Sequence, residues 1–154
     1  MNTVDNQERE AKGVVGVWQV KEIALQGDSG PIADKPFPNI IMFTRRHYSM
    51  MWVLGAETQR SFAQRWNPTN AEKIERFDAL VVNSGTYEIK GSTLTAHPIV
   101  ARIPEFVGGT LICEYHLKNN TIRLTFVDEY SYDGVQAPWV ASGKRLMLTL
   151  VRID

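Results

Sequence analysis

Residues 110–126, TLICEYHLKNNTIRLTF, set a carboxylate, a phenol and an imidazole side by side as Glu114, Tyr115 and His116. Proton transfer without a cofactor uses such groups, provided that all of them reach one point in space. The backbone decides whether they do. Asn119-Asn120 suits a two-residue hairpin turn, and such a turn pairs Lys118 with Thr121, Leu117 with Ile122, Tyr115 with Leu124 and Cys113 with Phe126. That face is apolar and is read as the inner one. The opposite face pairs His116 with Arg123 and Glu114 with Thr125, so it faces water. The pleat therefore divides the three residues: Tyr115 points inward, and Glu114 and His116 are solvated surface groups.

The elements that carry these residues are short runs rich in β-branched and aromatic residues, bounded by Gly, Pro and Asn. Eight strands are predicted, at 16–25, 39–44, 47–54, 85–90, 93–100, 109–118, 121–128 and 144–153. One helix falls between the third and fourth. Thr69 and Glu72 form a capping box for it, and Ile74, Phe77, Leu80 and Val81 give it an apolar face at helical spacing. The fold class is all-β, an eight-stranded antiparallel up-and-down barrel.

The connections alternate in length. Arg45-Arg46, Gly91-Ser92 and Asn119-Asn120 are two-residue turns, whereas 26–38, 55–84, 101–108 and 129–143 are long. In a meander successive connections fall at opposite ends, so the chain describes a cup with a tight base and a mouth built of loops. Eight closed strands hold one small ligand or a fill of side chains. The Gly91-Ser92 turn pairs Ile89 with Leu94 and Tyr87 with Ala96, which puts Tyr87 inside and His97 outside. Both faces of the second and third strands are apolar, so their orientation is left open by the sequence.

The 154 residues, 44% of them hydrophobic, suit one domain over 1–154, with 1–13 as a polar N-terminal extension. A chain of that size buries roughly 70% of its unfolded surface. Seventeen Lys plus Arg balance seventeen Asp plus Glu with no long run of one sign, so neither nucleic acid nor an anionic membrane is expected as a partner. The N-terminus lacks the apolar region of a signal peptide, and no apolar run nears the about 18 residues of a spanning helix. A lone Cys113 precludes an internal disulfide, and no CxxC or HExxH pair is present. A cytoplasmic protein without metal or cofactor is the expectation, with assembly into a homo-oligomer left open.

Gly16-Val17-Trp18 opens the first strand, and a GxW at that place resembles the signature of the lipocalins. FTRRHYS (43–49), SGTYEIKGSTLTAHPIV (84–100), RIPEFVGGTL (102–111) and LTLVR (148–152) together resemble the bacterial lipocalin-like domain proteins, over nearly the whole chain from about residue 14. The resemblance implies a calycin-type barrel with an internal cavity. Its superfold hosts both carriers and enzymes, so it implies the container rather than the content. Closing the barrel also brings Arg152 near Trp18 at the base, where a guanidinium over an indole plugs the floor.

With Trp18 inward, the same face carries Val20 and Glu22, which makes Glu22 an expected inner carboxylate, a ligand anchor or acid/base. Tyr48, Met50, Trp52, Tyr87, Tyr115 and Phe126 are expected to line the wall. Arg60, Arg65, Trp66, Arg102, Phe106, Asp128, Tyr130 and Trp139 fall in or beside the mouth loops, and of these Arg60, Trp66 and Trp139 are read as ligand-contacting, the two tryptophans as lids. Gly108-Gly109 is a bend entering the sixth strand, not a phosphate loop. The leading function is binding of a small, largely apolar molecule, aromatic ones included. The alternative is a cofactor-free isomerase, cyclase, hydratase or lyase on an apolar substrate, with Glu22, Tyr115 and Tyr87 as its candidate catalytic groups.

Overall fold

The computed structural model describes residues 13–28, 30–33, 37–55 and 59–154; most of the N-terminal extension lies outside the described residues. Eight strands, β1 (Gly16–Leu25), β2 (Asn39–Phe43), β3 (His47–Val53), β4 (Leu80–Lys90), β5 (Thr93–Ala101), β6 (Thr110–Lys118), β7 (Thr121–Tyr130) and β8 (Leu146–Arg152), pair in sequence order. They form a closed barrel, with β8 returning to β1. Helix α1 (Asn70–Ala79) interrupts the meander between β3 and β4.

All three short turns lie at one end. Lys90 pairs with Thr93 and Lys118 with Thr121, and the left-handed backbone required at the first turn position is supplied by Gly91 (φ 61°) and Asn119 (φ 54°). The Arg45-Arg46 turn is closed by Thr44, whose N–H donates to the His47 carbonyl at 2.8 Å while its hydroxyl accepts from the His47 N–H at 3.0 Å. On β6 and β7 every expected pair is present, and Glu114 and His116 are exposed. The face left open on β2 and β3 is decided by burial: Ile41, Phe43, Tyr48, Met50 and Trp52 point inward, Met42 and Met51 outward.

The base is sealed by the chain termini of the barrel. Trp18 is fully buried, donates its indole N–H to the Val14 carbonyl at 2.9 Å, and lies under the Arg152 guanidinium, 4.3 Å from its ring centroid. Arg152 also donates to the carbonyls of Val15 and Gly13, each at 2.7 Å. One side chain thus satisfies two carbonyls and completes the plug.

Three bulges break the ladder, all away from the base. Lys21 is the extra residue between the pairs Val20–Leu150 and Glu22–Thr149, Ile99 between Val100–Ser84 and Pro98–Gly85, and Val127 between Asp128–Ile112 and Phe126–Cys113. An extra residue reverses the inside–outside alternation for everything beyond it. At the second bulge the backbones close in so far that a Cβ on Gly85 would stand 2.0 Å from the His97 carbonyl oxygen, and only glycine fits.

β4 begins at Leu80, five residues earlier than the sequence predicts. Leu80 and Val81, expected on the helix, instead pair with Val53 and Trp52 of β3. Leu80 ends the helix in an extended conformation, and the run Leu80-Val81-Val82 continues as strand, as suits the two β-branched valines beside an open ladder. What is left of the helical apolar face, Ile74 and Phe77, is 63% and 49% exposed. The helix is held by its ends instead. The Thr69 hydroxyl and Glu72 carboxylate form the expected capping box. At the other end the Arg102 guanidinium donates to the carbonyls of Phe77 and Asp78 at 2.7 and 3.0 Å and lies 5.2 Å from the Phe77 ring centroid. A cation on the last carbonyls also opposes the helix dipole.

Candidate functional site

The lower half of the barrel is solid. Trp18, Ile41, Phe43, Ile89, Leu94, Ile122, Leu124, Leu148 and Leu150 are all buried there. Tyr87 stands edge-on to Phe43, with ring centroids 5.2 Å apart, and donates its hydroxyl to the Thr44 carbonyl at 2.7 Å. Burial, assisted by the neighbouring Tyr115, pushes the Tyr87 phenol up to about 12. Tyr115, across from Leu124, packs against the same core. Both tyrosines point inward as predicted, but they belong to the filled base.

Above this fill lies a cavity of about 400 Å³, within the usual range of ligand sites. Its walls are Met50, Trp52, Leu111, Phe126 and Leu146 from the strands, with Phe106 and Trp139 from the loops of the mouth. The floor carries a polar pair. Tyr48 donates its hydroxyl to the Asn83 side-chain oxygen at 2.7 Å, and Asn83 lines the cavity with no other side-chain partner among the described residues. Burial raises the Tyr48 phenol well above its ordinary value, with smaller contributions from Cys113 and Glu129. The Cys113 thiol, fully buried, is raised by burial first and by Glu129 second.

Glu129 is the carboxylate inside the cup. It is opposite the inward Leu111 because Val127 is bulged out of β7. Without that bulge, alternation from Ile122, Leu124 and Phe126 would bring Asp128 inward and send Glu129 to solvent. Trp139 donates its indole N–H to the Glu129 carboxylate, so the loop tryptophan is hinged onto the one acid that lines the cup among the described residues. At the rim, Lys144 lies 3.6 Å from Asp28, and Arg102 is turned toward the helix carbonyls.

The expected site residues therefore separate into three groups. Met50, Trp52, Phe126 and Trp139 line the cavity, as do Arg102 and Phe106, while Tyr48 lies just beneath through Asn83. Tyr87 and Tyr115 are in the base. Glu22, Arg60 and Trp66 are not in the cup. The bulge at Lys21 turns Ile23 inward and leaves Glu22 exposed, opposite the outward Thr149. Arg60 lies in a separate surface groove with Glu72, Glu75 and Arg76. Trp66 is 97% exposed, at a left-handed backbone position (φ 65°), and covers nothing. Arg65 is exposed too. Asp128 and Tyr130 are on the outside of the Val127 bulge: Tyr130 and Gln136 donate to the two Asp128 oxygens at 2.7 and 2.9 Å, which holds that carboxyl below its usual range.

The model of the lipocalin-like domain family matches the chain over residues 15–143. The chain belongs to this family. Neither the curated proteins nor the solved structures contain a match to it. A lipocalin-like barrel suggests ligand binding in general, and the hollow upper half is where this member has room for one.

Two residues of this lipocalin-like cup escape the sequence reading, for different reasons. Asn83 shares a face with Gly85, Tyr87 and Ile89, so simple alternation would have found it had β4 been carried back past Gly85. Glu129 has no such signal, since its direction depends on a bulge. Among the described residues no cluster of three or more His, Cys, Asp or Glu could hold a metal ion, and no helix is long and apolar enough to cross a membrane.

Proposed function

We propose that this lipocalin-like protein binds a small, largely apolar molecule in the upper half of its barrel. The observation that carries the reading is the cavity of about 400 Å³, walled by Met50, Trp52, Leu111, Phe126 and Leu146 from the strands and by Phe106 and Trp139 from the mouth loops. Burying apolar surface against such a wall contributes roughly 25 cal/mol for each Å², and aromatic faces favour a flat or aromatic guest. The fully buried lone thiol of Cys113 suits a reducing compartment, which supports a cytoplasmic setting.

Native mass spectrometry and organic extraction of the purified protein, followed by titration with apolar fluorophores, test the reading. A co-purifying small molecule, or saturable one-to-one binding of a fluorophore, is the expected result; a barrel that arrives empty and excludes every probe overturns it. The carboxylate of Glu129 in the same cup supports the cofactor-free enzymatic alternative, but with Glu129 in the acid/base role in place of Glu22, Tyr115 and Tyr87. Chemical conversion of the recovered molecule on incubation with the protein would favour that alternative over plain binding.

A further inference from the structure

Taking the cup as a ligand site, we infer that its guest is a protonated amine on an apolar body, with the ammonium group seated against Glu129 among aromatic faces. The Glu129 carboxylate is aimed into a largely apolar chamber by the Val127 bulge, and it lies near enough to Tyr48 and Cys113 to help raise both. One of its oxygens accepts from the Trp139 indole. Among the described residues its other oxygen has no donor, and no Lys, Arg or His lies within ion-pair distance of it. Among the described residues, the two cations that line the cavity are engaged elsewhere, Lys144 with Asp28 at 3.6 Å and Arg102 with the carbonyls of Phe77 and Asp78. A cationic head group placed there would gain charge attraction and a hydrogen bond together, and no cation among the described residues occupies that place.

The walls discriminate further. Trp52, Phe106, Phe126 and Trp139 line the same chamber, and the negative face of an aromatic ring attracts a desolvated ammonium. A neutral alcohol of the same shape would donate one hydrogen bond to Glu129 without the charge attraction of an ammonium or its attraction to the ring faces. An apolar acid would meet like charge at the depth where its head group would sit. The chamber therefore selects on charge as well as on shape.

Calorimetric titration of the full chain at neutral pH with 2-naphthylethylamine, 2-naphthylethanol and 2-naphthylacetate separates these cases on one skeleton. The amine should bind at least about tenfold tighter than the alcohol, and the acid weakest. Glu129→Gln keeps an acceptor for Trp139 while removing the charge; it should bring the amine to within about twofold of the alcohol, with the amine losing several times more affinity than the alcohol does. Should that variant fail to fold, the order of the three ligands on the wild-type protein still decides. Equal binding of amine and alcohol overturns the amine assignment and leaves the apolar cup standing. Tightest binding of the acid also overturns it and moves the anchor to Lys144 or Arg102. If no naphthyl compound binds and none displaces an apolar fluorophore, the ligand-site reading itself fails.

Discussion

In the base of the barrel the inward residues close on one another around Trp18, while in the mouth the same eight strands enclose a cavity of about 400 Å³. Residue type does not separate the two halves. Both are aromatic and aliphatic, and the base has Trp18, Phe43, Tyr87 and Tyr115 where the mouth has Trp52, Phe126, Phe106 and Trp139. The ladder does separate them. Near the two-residue turns the register runs unbroken, and all three bulges, at Lys21, Ile99 and Val127, lie farther up the strands. Bulges increase local twist and bend strands apart, so the upper wall is free to open while the lower wall stays packed. The same irregularity turns Glu129 in and Glu22 out. In this fold, packing is achieved where alternation holds, and chemistry is gathered where it breaks.

Mutations can break or sharpen that division. The largest effect is expected at the base: Trp18→Ala removes a fully buried side chain and the platform under Arg152, and should cost about 3–5 kcal/mol by denaturant unfolding. Molecules that still fold should bind an apolar fluorophore within about twofold of wild type, since the cavity is not touched. A matching loss of affinity would show that the two halves are coupled.

Phe126→Ala should have the opposite profile. Its ring already faces empty space, so the stability cost should stay below about 3 kcal/mol, whereas fluorophore affinity should fall at least about tenfold. If the truncation stabilises binding or leaves it unchanged, the guest does not reach that wall.

Tyr87→Phe should cost about 1 kcal/mol at neutral pH through loss of the bond to the Thr44 carbonyl, with no effect on binding. It also carries a pH signature. The folded protein holds the Tyr87 phenol protonated up to about 12 against an ordinary 10.0. The unfolded chain therefore loses that proton first as pH rises. The associated stability is complete below pH 10 and is lost as pH climbs through about 12. Unfolding free energies measured across that window should fall less steeply in Tyr87→Phe than in wild type. Tyr48 and Cys113, raised in the same direction, account for the slope that stays.

The smallest effects belong to the outer face. Glu114→Ala and His116→Ala should each change stability by less than about 0.5 kcal/mol, even though Glu114 lies 3.7 Å from Arg145, because that pair is exposed on both sides. Binding should stay within about twofold. A large loss from His116→Ala would mean that the pairing across the Asn119-Asn120 turn differs from Lys118–Thr121.

The sequence by itself determined the strands, the three tight turns, the end of the barrel that holds the loops, the Trp18–Arg152 plug, and the separation of Tyr115 from Glu114 and His116. The separation of Tyr115 follows from a period of two counted outward from a turn of known length, and the strands, turns and loop end from local composition and connection lengths; the plug follows once the barrel is taken to close. Phe126 was legible as a cavity residue by the same count from the turn, whereas the faces of Met50 and Trp52 were left open by the sequence and were decided by burial in the closed barrel. The tertiary structure decided the rest. The helical spacing of Ile74, Phe77, Leu80 and Val81 yielded at Leu80 because an unpaired β3 edge offered Val53 and Trp52 as ladder partners. A long loop did not make Trp66 a lid, since an exposed tryptophan is tolerated and needs nothing beneath it. Above all, Glu22 and Glu129 exchanged the faces that counting assigns them. A bulge is settled by how eight strands must tilt and stagger to close on one another, so one extra residue on β1 or β7 depends on all the other strands. That condition belongs to the whole barrel, and it selected which carboxylate the cup would contain.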